Sequence, residues 1–522
     1  MFSQKTHRKI FIFFLLLLAI GLTFGKVVLS ISMIGLTVNW LFEGGFSEKH
    51  QRIKNRKYIP YFLAGIFLIE TFWIIFVDEW SIGFNVLRIK LPLLILPLVI
   101  GSSKRLTTKE IKIIIYFLVL SGFVSSLLVY AVDLGFLKTA TKTITGRNIS
   151  LFMSHIRYSI VITFIVNLLF YLMIRKKINY FAGIFLCLWF INLLFKIASL
   201  TAILGLFFSV LPLLVFLLKN RKQKLRLVFS TLALFIMGFL GVVLYNIIRD
   251  FYTPKSDKPI KELPLQTKLG EKYIHDLENG TLENGYYIWR YIAETETKKA
   301  WNKKSVIPFD EIDKKHQKIK YTLYRYLTSK GLRKDAEGVN QLTLKDVQLI
   351  ENGNTSYVKY NRIEKRLRGI LMEWEDYKNT NNPNNHTLLQ RVSFWEIAIE
   401  IIKKAPYIGH GTGGHKIEFK NYYENNTTIL NKSNQLLTHN QFLTQVINFG
   451  FLGFILWIGL LVYSIKKSKI GLNPLFLPFA CLMFFALISD DILERQVGVT
   501  IFSSILTILL FYNRIEKESL SE

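Results

Sequence analysis

The chain has 522 residues, 51% of them hydrophobic, and a mean hydropathy of +0.30, too apolar for one soluble globule of this length. A formal charge of +29 would suit a nucleic-acid binder, but its distribution, taken up below, points elsewhere. The two cysteines, Cys187 and Cys481, lie inside apolar runs and offer neither a disulfide framework nor a zinc site.

From the N-terminus, twelve apolar stretches follow one another: 10–24, 27–42, 58–77, 82–100, 111–131, 153–174, 180–195, 198–218, 226–248, 441–465, 473–489 and 496–512. A hydrocarbon core of about 30 Å needs roughly 20 helical residues to cross it, so each is a predicted span. The first two are separated by Gly25-Lys26 and read as a tight helical hairpin. The first follows Lys5, Arg8 and Lys9 as a signal peptide would. It lacks a small-x-small cleavage site and runs at once into a second apolar stretch, so a retained span is expected. The expected fold is an all-α polytopic membrane protein with about 12 transmembrane helices and one large, mostly helical extracytoplasmic loop domain.

Basic residues set the expected orientation. Lys5, Arg8 and Lys9, then Lys49 to Lys57, Lys104 to Lys112, "RKK" at 175–177, "KNRKQKLR" at 219–226 and "KKSK" at 466–469 all fall on one side if the chain crosses twelve times. The positive-inside rule makes that side the cytoplasm. The alternate loops are poorer in Lys and Arg, and one, "SDDILER" at 489–495, is acidic. Much of the charge is thereby a topological signal, and nucleic acid is not an expected partner. Both termini are expected in the cytoplasm. The predicted domains are 1–248, a membrane bundle of about nine spans; 249–440, the extracytoplasmic segment; and 441–522, a membrane segment of about three spans. The outer segment contains two amphipathic helix candidates. "YNRIEKRLRGILMEWEDYK" (360–378) places Ile363, Leu367, Ile370, Leu371 and Trp374 on one face, and "TLLQRVSFWEIAIEIIKK" (387–404) stops before Pro406.

Ionisable groups then gather near the outer face: Arg88 and Lys90 in the fourth span, His155 and Arg157 at the start of the sixth, Lys196 at the end of the seventh, Arg249 at the end of the ninth, and Arg391 and His439 on the outer segment. Taken singly, such cations snorkel to headgroups. Together they suit an anionic substrate such as pyrophosphate, whose oxygens match guanidinium forks. The loop "APYIGHGTGGHKIEF" (405–419) carries Gly409, Gly411, Gly413 and Gly414 and can either turn backbone N–H groups toward an anion or form a tight surface turn. It is not a P-loop, since no Gly-Lys-Ser/Thr follows. His410, His415 and His439 lack the spacing and carboxylates of a metal site, so no metal is expected. His439 opens the tenth span beside Asn440, and its imidazole suits proton transfer from a hydroxyl.

"RVSFWEIAIEIIKKAPYIGHGTGG" followed later by "HNQFLTQVINFGFLG" resembles the bacterial O-antigen ligase and polymerase superfamily. The pattern is carried here by Arg391, Trp395, Pro406, Gly409, Gly411, His439, Asn440, Gly450 and Gly453. The resemblance implies a glycosyltransferase in the bacterial inner membrane, with an undecaprenyl-pyrophosphate-linked glycan as donor, a glycan or glycolipid as acceptor and no cofactor. It implies Arg391 and His439 as catalytic residues. The candidate substrate-binding set is Arg157, Lys196, His155, Asn440, Gly409, Gly411 and Arg88. Ligases often carry a Ser-Arg pair at the start of a span before the outer segment; here Ser199 is followed by Leu200, leaving Lys196 or Arg157 to supply that charge. Ligase and polymerase share this chemistry and both stay open. A non-catalytic flippase or exporter, with charges lining a path through repeated halves, is the third reading.

Overall fold

A computed structural model describes residues 3–137, 150–218, 223–255, 263–384, 386–468 and 473–511. It divides into two compact units, one made of 1–230 with 390–522 and the other of 231–389.

All twelve predicted stretches contain helix. In chain order they are Gln4–Phe24, Lys26–Phe42, Ile59–Phe72, Trp80–Lys90 running on into Pro92–Ser102, Thr108–Asp133, His155–Ile174, Tyr180–Ile197, Leu200–Leu218, Gln223–Tyr252, Gln441–Ser468, Phe476–Ser489 and Gln496–Phe511. Among the described residues, 7 helices are long and apolar enough to cross a membrane, or up to 8 if Lys26–Phe42 and Phe46–Asn55, bent by 111°, make one broken span. Leu200–Val215, Phe476–Ser489 and Gln496–Phe511 are shorter apolar helices. The expectation of twelve rested on apolar runs. Hydropathy marks where a run lies but not where a shorter helix ends.

The core of the first unit is a continuous cluster of Leu, Ile, Val and Phe drawn from nearly all its long helices, including Leu36, Leu96, Ile160, Ile165, Phe190 and Leu482. Residues 390–440, read from the sequence as part of the outer segment, pack in this unit. A smaller core joins Phe394, Ile397, Ala398 and Ile401 of the helix Leu389–Lys404 to Phe419, Leu430 and Ile447. It fixes that helix, and the helix Gly414–Asn425, against the first turns of Gln441–Ser468.

The second unit has its own core around Trp301, Phe309, Leu323, Tyr324, Tyr326, Leu327 and Ile350. Among the described residues it holds mostly short helices and one two-stranded antiparallel sheet, Leu282–Glu283 with Tyr286–Tyr287. The predicted amphipathic helix at 360–378 forms as Arg362–Thr380, with Asn361 capping its start, and none of its residues is buried.

Candidate functional site

His439 sits just before the helix Gln441–Ser468 with a left-handed backbone, φ 47°. A non-glycine residue pays for that conformation and holds it only when its surroundings over-determine it. Here the main chain supplies a donor to a buried acid: His439 N donates to Asp491 Oδ2 at 3.0 Å. Asp491 Oδ1 accepts from Thr438 Oγ1 (2.9 Å) and Thr444 Oγ1 (2.7 Å), one on each side of the histidine. Asn440 is the N-cap: its Oδ1 accepts from the N–H groups of Phe442 (3.0 Å) and Leu443 (3.3 Å).

The ring is held separately. His439 Nδ1 lies 3.3 Å from Asp490 Oδ1, and Asp490 Oδ2 accepts from an Arg157 guanidinium nitrogen at 3.3 Å. Arg157 also donates to Ser154 Oγ at 2.8 Å. A cation, an acid and an imidazole thus stand in a row. Burial pushes the Asp490 carboxyl up, but the His439 hydrogen bond and the Arg157 charge outweigh it and hold it below the usual carboxylate range. His439 remains about a third exposed.

The Leu389–Lys404 helix closes the other side. The Phe394 ring lies 5.9 Å from the His439 ring, and Trp395 Nε1 donates to Thr438 O at 3.1 Å. Arg391, half-buried, is one helical turn before these aromatics and so shares their side of the helix.

The glycine-rich loop has a clear structural task. The helix Gln441–Ser468 breaks at Gly450, φ 59°. The freed donors beyond the break are taken up by the loop: Phe451 N donates to Pro406 O (2.8 Å) and Leu452 N to Tyr407 O (3.1 Å), while His410 N donates to Ile447 O (2.9 Å). A Cβ on Gly409 would meet the backbone of Gly450 and Asn448, and one on Gly411 the backbone of Phe76 and Val77. Both glycines are thereby accounted for by close backbone approach.

The structure places the remaining predicted site residues as follows. Lys196 pairs with Asp133 at 2.7 Å and lies 5.0 Å from the Tyr130 ring centre. Arg88 is exposed and donates to Asn85 Oδ1 at 2.7 Å. His155 is the first residue of its helix, half-buried, two residues before Arg157. His410, His415 and His439 each face different partners: Glu418 and Ile401 O, Asn448, and Asp490. Asp490 and Asp491 were missed as site residues. The adjacent pair "DD" at 490–491 stands in the sequence as an acidic loop between two apolar stretches, with nothing local to tie it to His439.

The fold and this constellation define a class: a polytopic helical membrane protein with a histidine-centred site, backed by a carboxylate and a guanidinium, where several of its apolar helices begin or end. A family model described as O-antigen ligase matches residues 349–458, and that match supports the O-antigen ligase and polymerase superfamily that the motifs from Arg391 to Gly453 resemble. It covers Arg391, the glycine loop and His439; Arg157 and Asp490 fall outside it. No curated protein matches the chain.

Proposed function

We propose that the protein is a glycosyltransferase of the O-antigen ligase type. It moves a glycan from an undecaprenyl-pyrophosphate carrier to a sugar hydroxyl at the outer face of the inner membrane. The observation that carries this reading is the row Arg157–Asp490–His439, seated against the helix that bears Arg391. Asp490 engages Nδ1, so Nε2 of His439 is the nitrogen that takes the acceptor's proton. The acceptor oxygen then bonds to the anomeric carbon as the bond to the pyrophosphate oxygen breaks. Arg391, with Arg157, neutralises the charge that develops on the departing pyrophosphate. Direct displacement inverts the anomeric centre.

The twelve-crossing topology belongs to this proposal. Arg8 reaches Lys104 O, Arg105 O and Glu110, and Arg52 and Arg56 reach the carbonyls of Ser102, Ile100 and Gly101, which supports placing these basic segments at one common end. Gln496 Nε2 donates to Ser30 Oγ at 3.0 Å near the opposite helix ends.

The test is the carrier-linked glycan profile of a host deletion strain complemented with wild type, His439→Ala or Arg391→Ala, each matched for membrane expression. Both variants should behave as empty vector. Long glycan left on the carrier identifies a ligase; single repeat units left there identify a polymerase of the same superfamily. A variant that restores the wild-type profile removes that residue from the mechanism and raises the exporter reading.

A further inference from the structure

The helix 441–468 shows a polar stripe on its first two turns, Gln441, Thr444, Gln445 and Asn448, all buried. The spacing of three and four puts them on one face. Opposite them stand Lys90, Glu70, Glu494 and His415. Lys90 Nζ pairs with Glu70 Oε1 (2.7 Å) and Glu494 Oε1 (3.0 Å), and Gln441 Nε2 donates to Glu494 Oε1 (3.1 Å). A charged cluster this deep in an apolar bundle is costly unless its polar atoms are satisfied.

Several of them are not satisfied by the described residues. His415 Nε2, Glu494 Oε2 and Asn448 Nδ2 are buried without a hydrogen-bond partner among the described residues. A buried donor or acceptor left unpaired carries the full cost of its lost hydration.

The protons on His415 follow from geometry. Asn448 Oδ1 accepts from the backbone N–H of His415 at 3.0 Å, so that atom is the amide oxygen. The same oxygen is 2.9 Å from His415 Nδ1, which therefore carries a hydrogen. Nε2 is left facing Glu494 Oε2 at 3.9 Å, both atoms being acceptors if the ring is neutral. That separation is too long for a direct hydrogen bond. It fits a molecule that gives one hydrogen to each, and water has two to give.

We infer that the cluster is a buried water-binding site, with one water donating to both His415 Nε2 and Glu494 Oε2 and a neighbouring water accepting from Asn448 Nδ2. Burial pushes the His415 imidazole below its ordinary value, which agrees with the neutral ring this arrangement uses. The inference concerns ligand binding within the bundle and does not rest on the glycosyl-transfer reading.

The test is magic-angle-spinning NMR of the full chain in lipid bilayers with 15N-labelled histidine, His415 being assigned by its loss in His415→Gln. The expected result is a neutral ring, Nδ1 protonated and Nε2 bare, with a through-space correlation from Nε2 to a water proton. A ring protonated on both nitrogens means a dry ion pair with Glu494 and overturns the inference. So does a bare Nε2 with no water correlation. Since the wild-type spectrum is the readout, a misfolded variant would cost the assignment route, which His415→Asn then supplies.

Discussion

At the scale of single residues, His439 is fixed twice, by its backbone through Asp491 and by its ring through Asp490. The two acids have different environments. Asp491 is pushed up by burial, although Thr444 and Thr438 donate to it, whereas Asp490 is held down despite burial by His439 and Arg157. Asp490 therefore stays ionised at neutral pH, favours one ring tautomer and stabilises an imidazolium as it forms. Its stabilising contribution is full above its unfolded-state value and is lost as pH falls through the lowered folded one. Asp490→Asn should keep the hydrogen-bonding shape and lose the charge. We expect the transfer rate to fall by roughly 10- to 100-fold, part of the contribution of a general base. Added to His439→Ala, the same change should cost nothing further, because the base that the proposed mechanism has it serve is gone. Rates of purified variants on a lipid-linked donor check this, and an additive loss in the double variant would sink the dyad. Arg157 and His439 stand out in the sequence as ionisable groups where apolar stretches begin, and the family resemblance singles out Arg391 and His439 as catalytic. Asp490 was not legible as their partner: 51 residues and two apolar helices separate it from His439, and no periodicity links them.

At the scale of elements, the helix 441–468 was read as one continuous span, and its apolar run gives no sign of a break. The break at Gly450 is a tertiary event, made possible by the loop 405–411, whose carbonyls and N–H groups replace the interrupted helical hydrogen bonds. Two motifs that look separate in the sequence, the glycines after Pro406 and the glycine pair at 450 and 453, thus interlock. Trp73 joins them by donating to Ile408 O (2.8 Å) and packing on Gly453. A Cβ on Gly450 would strike the backbone of Tyr407, in a conformation that alanine rarely adopts. Gly450→Ala should therefore destabilise the protein by at least roughly 1–3 kcal/mol, the usual cost of such backbone strain. Gly459→Ala is the control: it lies in regular helix with open space around its Cβ and should be neutral or mildly stabilising. Thermal melting in one detergent, both variants side by side, measures the contrast. Equal melting temperatures would remove the interlock from the account.

At the scale of the whole molecule, the composition already announced a membrane protein, and the second unit is where the sequence was least informative. Residues 249–389 read as polar and helical, with nothing to mark which polar groups end up inside. Lys334 is the clearest case: it is fully buried, and its Nζ donates to two backbone carbonyls, Arg290 O at 3.0 Å and Tyr287 O at 3.3 Å. Burial pulls its ammonium from the ordinary 10.5 down to about 7. The folded unit thus releases this proton more readily than the unfolded chain, so stability is lowest below pH 7 and rises between about 7 and 10.5. A shift of that size amounts to at most about 5 kcal/mol across the interval. Hydrogen exchange in the full chain, followed at the core amides of Trp301, Tyr324 and Leu327 and corrected for intrinsic rates, should show protection climbing with pH over this range. Lys334→Met, which keeps the aliphatic stem and removes the charge, should flatten the climb and raise protection at neutral pH. If wild type and variant trace the same slope, the buried ammonium is not what sets the stability of this unit.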